Sequence, residues 1–234
     1  MTKPFAVYDT RHYTTLDANA GYELWSHTYD HTVDEQLDIP LLAKLETVNW
    51  KSIQTVVDLA CGTGRIGLWL HSQGIRYIHG VDSSPAMLQY AAAKQVYEQV
   101  YATDVIQSSL PSHSYDLSFI GLAACHLPDL QALYTEGARL LRPGGFFVLI
   151  DYHPFCLLQG IPTHFDSAKG KAIAIENFVH FISDHVNSGR RVNLTLLEMH
   201  EAFVDQDWIA HKPNMARYVN QPITFVMVWR ADTS

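Results

Sequence analysis

Between residues 53 and 151, short apolar runs alternate with stretches of helical periodicity. "IQTVVDLA" (53–60) is apolar almost throughout, the pattern of a parallel strand buried on both faces. Ile66, Trp69 and Leu70 then recur at helical spacing. "IRYIHGVD" (75–82) reads as a second strand. The next helix opens with Ser84 as N-cap and Pro85 at its first position, with Met87, Leu88, Ala91, Ala92 and Gln95 on one side. "VYATD" (100–104) and "YDLSFIGL" (115–122) give a third and a fourth strand. "DLQALYTEGARLL" (129–141) predicts an amphipathic helix that "RPGG" stops, and "GFFVLID" (145–151) a fifth strand.

The flanks differ in pattern. Residues 16–48 read as mainly helical. Residues 152–175 are irregular and rich in aromatic and His residues, and a helix is expected over 176–186. "RVNLTLLEMHEAF" (191–203) and "ITFVMVW" (223–229) read as strands that close the sheet as an antiparallel pair. The expected architecture is a doubly wound, mostly parallel seven-stranded α/β sheet with an antiparallel strand near the C-terminus. Its expected segments are an N-terminal helical cap (1–52), a nucleotide-binding-type core (53–151), a substrate-side lid and helix (152–190) and closing strands (191–234).

With 234 residues, 47% of them hydrophobic, the chain can bury a core of ordinary size. A net charge of −8 argues against broad binding to nucleic acid. No run approaches the length of a membrane span, and the first residues lack an apolar signal core. Cys61, Cys125 and Cys156 form no CxxC pair and no disulfide framework, which fits a reducing cytoplasm. Six of the 13 histidines lie between His153 and His211 without metal-ligand spacing, so no metal is expected.

The candidate chemistry lies at strand ends. Asp58, Asp82 and Asp104 end three consecutive strands and share the carboxyl edge, where open α/β sheets bind ligands. Gly62, Gly64 and Gly67 follow the first acid with dinucleotide-type spacing. A pyrophosphate beside Asp58 would meet roughly 4 kcal/mol of repulsion per unit charge at 4 Å and an effective dielectric of 20. A ligand with an ammonium group and no phosphate, such as S-adenosylmethionine, reverses that sign. Gly67 then serves helix packing.

In this order, "YELWSHTYD", "VVDLACGTG", "GVDSSPAML", "YATDV", "YDLSFIGLAACHLPDL" and "LLRPGGFFVLID" resemble the successive motifs of class I S-adenosylmethionine-dependent methyltransferases. The group resembled is the small-molecule one similar to ubiquinone/menaquinone-biosynthesis methyltransferases. The resemblance spans residues 22–151 and implies a Rossmann-like methyltransferase fold with S-adenosyl-L-methionine as cofactor. It implies that Asp58, Gly62 and Gly64 hold the methionine end, with Tyr29, and either Tyr22 or Arg65, closing over the carboxylate. Ala60 belongs to the same cofactor-contacting turn. The family usually has glycine there, and alanine is tolerable if φ is negative. Asp82 and Ser83 are implied for the ribose, Met87 for packing on adenine, and Asp104 and Val105 for the adenine edge. Gly121 or Leu122 is implied to offer a carbonyl to the ammonium.

His126 and His153 follow strands four and five and are the candidate general bases. Asp151 and Tyr152 are further substrate-facing candidates, whereas Glu198, Glu201 and Asp205 read as a solvated face. Phe155, Leu157, Leu158, Ile161 and Phe165, with the N-terminal helix, are expected to form an apolar lid over a small-molecule acceptor. Rival readings are an NAD(P)-dependent oxidoreductase, a non-catalytic S-adenosylmethionine-binding protein, and a methyltransferase acting on nucleic acid or protein.

Overall fold

Seven strands hydrogen-bond into one sheet in the computed structural model, which describes residues 3–233. The outermost ends of the first and last expected segments, residues 1–2 and 234, lie outside the described residues. In chain order the strands are β1 (Thr55–Leu59), β2 (Tyr77–Asp82), β3 (Gln99–Ala102), β4 (Tyr115–Gly121), β5 (Leu141–Tyr152), β6 (Leu194–Phe203) and β7 (Pro222–Ala231). Their spatial order is β3-β2-β1-β4-β5-β7-β6, with β1 to β5 parallel and β7 antiparallel to both neighbours. The chain winds outward from β1 to β3, then crosses back to β4. The carboxyl ends of β1 and β4 therefore flank a topological switch point, where a crevice opens.

Among the described residues the α-helices are, in chain order, α1 (Ala18–Trp25), α2 (Tyr29–Thr32), α3 (Ile39–Ala43), α4 (Arg65–Ser72), α5 (Pro85–Ala93), α6 (Leu130–Leu140), α7 (Pro154–Leu158), α8 (Ile182–Arg191) and α9 (Gln206–His211). The central strands are apolar on both faces because each face is covered. Val56, Leu117, Phe119, Val148 and Ile150 pack with Leu41 and Leu42 of α3 and with Ile66 and Leu70 of α4. Val57, Leu59, Ile120, Phe147 and Leu149 pack on the other side with Leu133, Tyr134 and Leu140 of α6. Ser84 caps α5 as its sequence predicts, its Oγ accepting from the Met87 N–H at 3.3 Å.

Three boundaries differ from expectation. β5 begins at Leu141 and runs through "RPGG"; a bulge against β4 absorbs the extra residues, and Gly144 takes φ +78° there. The helix expected from residue 176 begins only at Ile182. The segment before it is extended, with Glu176, Phe178 and Val179 donating to the carbonyls of Leu16, Cys125 and Lys3. The stretch 152–175 contains α7 and two strands, His164–Asp166 and Ala172–Ile175. With Thr14–Leu16 they form a second, three-stranded sheet.

The small sheet and α1 lie over the carboxyl edge of the large one. α1 is tied to the loop after β2 by Ser83 Oγ donating to Asn19 Oδ1 at 2.7 Å and by Ser84 Oγ donating to Glu23 at 3.2 Å. Asp30 of α2 accepts from Thr63 Oγ1 at 2.5 Å and from Lys94 Nζ at 2.5 Å, pinning α2 to the turn after β1.

Candidate functional site

The turn from β1 into α4 is built from left-handed backbone. Ala60, Gly62 and Gly64 have φ of +56°, +54° and +84°. A Cβ on Gly62 would meet nothing, so its glycine serves the conformation and leaves the backbone open to the crevice. Gly64 differs: it lines neither part of the crevice, and a Cβ there would sit 2.8 Å from the Tyr97 ring. Its glycine serves the turn and the packing of Tyr97. The expectation of a relaxed Ala60 is corrected. The turn needs positive φ at that position, so alanine is strained.

Asp82 organises the larger part of the crevice. Its Oδ2 accepts from Gly62 N–H and its Oδ1 from Ser84 N–H, both at 2.8 Å. Burial raises its pKa, and the bonds from Ser84, Gly62 and Ser83 oppose that rise. Each oxygen keeps a lone pair for a donor in the cavity that Asp82 lines. Ser83, Met87, Val105, Gly121 and Leu122 line the same cavity. Asp104 does not. β3 ends at Ala102, and the exposed Asp104 turns its Oδ1 back to its own Ile106 N–H at 3.0 Å, an Asx turn.

A smaller polar recess continues past Gly62 and Gly121 and is lined by Tyr29, Asp58, Thr63 and Arg65. Asp58 is buried, and its pKa is pushed up to about 7. Desolvation is the main cause; Asp82 adds to it, while the Tyr97 hydroxyl and Arg65 oppose it. Burial works against the Arg65 charge, but hydrogen bonds and charge from the fully buried Asp38 outweigh it and raise its pKa. The guanidinium grips both Asp38 oxygens. Burial also lifts Tyr29 to about 12, so it stays protonated.

Tyr22 of α1 and His126 both line the larger cavity, with Tyr22 Oη 2.9 Å from His126 Nε2. His126 is buried, and desolvation lowers its pKa to about 4. Its Nδ1 lies 2.6 Å from the Glu176 carbonyl oxygen.

His153 is not part of this arrangement. Its Nδ1 accepts from Phe155 N–H at the start of α7, its Nε2 faces Glu201 at 2.9 Å, and it lines no part of the crevice. The general-base expectation for His153 is therefore corrected to a helix cap. Asp151 is buried beside Cys125, with its pKa raised to about 7 by desolvation.

The expected lid residues do other work. Phe165 stacks on Trp25 at 5.2 Å, Leu157 packs with Phe5 and Val179, and Ile161 joins the core under the large sheet. Of the expected lid, it is the N-terminal helix that lines the cavity, through Ala18, Asn19 and Tyr22, together with Tyr29 of α2. Glu198 is no solvated acid: it accepts from the N–H groups of Glu46 and Thr47, and its pKa falls to about 2 although burial opposes this. Asp205 caps α9 through Trp208 N–H.

Tyr97 carries no periodic signal and escapes sequence reading, as does Asp38. The glycines at 64, 67 and 80 are the trace of Tyr97: a Cβ at any of them would fall between 2.3 and 3.1 Å of its side chain.

The crevice suits an S-adenosylmethionine-shaped ligand. Asp82 has free lone pairs for a diol, Met87, Val105 and Leu122 make an apolar slot for a base, and Asp58 waits in the recess for a cation. A family model described as a methyltransferase domain matches residues 57–149. Over those residues the chain is similar to a methyltransferase domain. The chain is 32% identical to trans-aconitate 2-methyltransferase from Escherichia coli O1:K1 / APEC over 126 residues, covering 53% of this chain and 48% of that protein. It is 36% identical to malonyl-[acyl-carrier protein] O-methyltransferase from Yersinia pestis over 93 residues, 40% of this chain and 34% of that one. The chain thus spans between about a third and a half of the length of these curated relatives. An S-adenosylmethionine-dependent methyltransferase from Mesorhizobium loti shares the fold with a TM-score of 0.65 at 24% identity, over 82% of this chain and 95% of that one. Nothing in these likenesses favours an oxidoreductase. Among the described residues, no helix is long and apolar enough to cross a membrane.

Proposed function

We propose that this protein transfers a methyl group from S-adenosylmethionine to a small-molecule acceptor by in-line displacement. The observation that carries the reading is the pairing of Asp82 with the turn after β1, which leaves an acid facing the cavity at one end and buried Asp58 at the other. When bound, S-adenosylmethionine supplies a methyl carbon already activated by a positively charged sulfur.

The chain's own residues supply binding, alignment and the exclusion of water. Asp58 accepts from the ammonium, Asp82 accepts from the ribose hydroxyls, and Met87, Val105 and Leu122 enclose the adenine. Tyr29 and Arg65 stand at the carboxylate end of the recess. Tyr22 and His126 border the acceptor side.

Among the described residues no Lys or Arg lines the larger cavity, which supports a small molecule over nucleic acid or a membrane surface as the partner. The three cysteines are buried free thiols, in keeping with a reducing cytoplasm.

The test is transfer of labelled methyl from S-adenosylmethionine into the small-molecule fraction of a cell extract, with products identified by mass spectrometry. Labelled product supports the reading. Binding of S-adenosylhomocysteine with no labelled product from any extract contradicts catalysis and favours a non-catalytic binding protein.

A further inference from the structure

We propose that Tyr22 and His126 form a proton relay, and that the acceptor it serves is an un-ionised hydroxyl, a phenol or enol, rather than a carboxylate. The inference rests on the methyl-transfer reading and names the acceptor class for that site.

The protonation pattern follows from geometry. The Glu176 carbonyl can only accept, so the 2.6 Å contact places the proton of neutral His126 on Nδ1. Nε2 then carries the lone pair, and the Tyr22 hydroxyl at 2.9 Å must donate to it. The two rings meet edge to face, with centroids 5.3 Å apart and planes at 87°. Both side chains line the larger cavity, and the Tyr22 ring lies 6.0 Å from that of Tyr29, which also lines the recess holding Asp58. A tyrosine whose proton already points at a buried imidazole lone pair is set to take a proton from a third oxygen.

The surrounding charge selects the acceptor. A carboxylate arrives ionised, needs no base, and calls for a cation to hold it. Among the described residues no Lys or Arg lines the cavity, and Arg65 in the adjoining recess is held by both oxygens of Asp38. Tyr22 packs against Trp25 and Tyr29, the charges nearest it in effect are those of Cys125, Tyr152 and Asp151, and the Glu176 carbonyl meets His126. All are neutral or acidic, so they disfavour an anionic acceptor.

A hydroxyl is the opposite case. It carries no charge on arrival and must lose its proton as its oxygen is alkylated. The acceptor proton passes to Tyr22 Oη while the Tyr22 proton passes to His126 Nε2. An oxygen lone pair forms the new C–O bond, and the electron pair of the broken C–S bond returns to sulfur. The single positive charge thus moves to the His126 imidazolium, whose Nδ1–H remains on Glu176. Burial makes His126 a weak base, with its pKa lowered to about 4. That is sufficient, because the hydroxyl oxygen becomes strongly acidic as the C–O bond forms.

The test compares wild type, Tyr22→Phe and His126→Gln with methyl-labelled S-adenosylmethionine and the small-molecule fraction of a cell extract. S-adenosylhomocysteine calorimetry is run alongside. The expected product survives mild alkali and is an O-methyl ether by mass spectrometry. Both variants are expected to slow its formation by about 100-fold, the contribution of a general base, while S-adenosylhomocysteine still binds to them as to wild type. Label released by alkali as methanol marks a methyl ester and overturns the relay, as does an N-, S- or C-methyl product. Wild-type rates in both variants overturn it too. A wild type that fails to bind S-adenosylhomocysteine overturns the methyl-transfer reading itself, a result distinguishable from failure of the relay alone.

Discussion

The Tyr97 hydroxyl donates to Asp58 Oδ2 at 2.7 Å, and the Tyr97 ring fills a niche left by Gly64, Gly67 and Gly80. The acid at the end of β1 is thereby oriented by a residue 39 positions away. Tyr97→Phe keeps the ring and removes the donor. A hydrogen bond to a charged group contributes about 1.5–3 kcal/mol, so the variant should bind S-adenosylhomocysteine about tenfold more weakly or worse. Calorimetry at pH 7 measures this; unchanged affinity would mean that Tyr97 serves packing alone.

The same acid sets the pH dependence of binding. Folding raises the Asp58 pKa from 3.8 to about 7, so its neutral form is favoured in the ligand-free protein. That contribution to stability is fully present below the unfolded pKa and is lost as pH rises through about 7. Asp151, also raised to about 7, has the same sign. An ammonium ligand requires the carboxylate, so affinity for S-adenosylhomocysteine should rise with pH and level off above 7. Below that it should fall by about tenfold per pH unit. Calorimetric titrations from pH 5 to 8 measure the curve, and a flat profile would remove Asp58 from the ammonium site.

Asp82 and Asp104 separate by position. Asp82 lines the cavity, whereas Asp104 closes its own turn at the surface. Asp82→Ala should weaken S-adenosylhomocysteine binding by about tenfold or more, the value of one or two hydrogen bonds to a charged acceptor. Asp104→Ala should leave that affinity nearly unchanged. A large loss for Asp104→Ala would restore the adenine contact that the sequence suggests.

Ala60 holds φ at +56° where glycine would rest without strain. Ala60→Gly relieves the turn but adds freedom to the unfolded chain, and the net effect should be a gain of about 1 kcal/mol. Urea unfolding measures it. A loss of stability would show that the Ala60 methyl group packs usefully against its surroundings.

What the sequence made legible was local. Ser84 and Pro85 mark the start of α5, the apolar runs mark strands covered on both faces, and Asp58 and Asp82 fall where strands end. What it hid depends on contacts distant along the chain. Thr14–Leu16 pairs with Ala172–Ile175, so neither segment carries a complete strand signal of its own. His126 and His153 both follow strands, yet one meets Tyr22 over the cavity and the other caps α7. Asp104 has the spacing of the other acids, but β3 stops two residues before it. The φ of Ala60 follows from the path of the turn, which residue identity does not reveal.

The central claim is that the crevice at the carboxyl ends of β1, β2 and β4 seats an S-adenosyl nucleoside with a cationic amino-acid end. Calorimetric titration of the wild-type protein with S-adenosylhomocysteine and, separately, with NAD tests it most directly. Saturable binding of S-adenosylhomocysteine with no heat from NAD is the predicted result; binding of NAD without S-adenosylhomocysteine would contradict it.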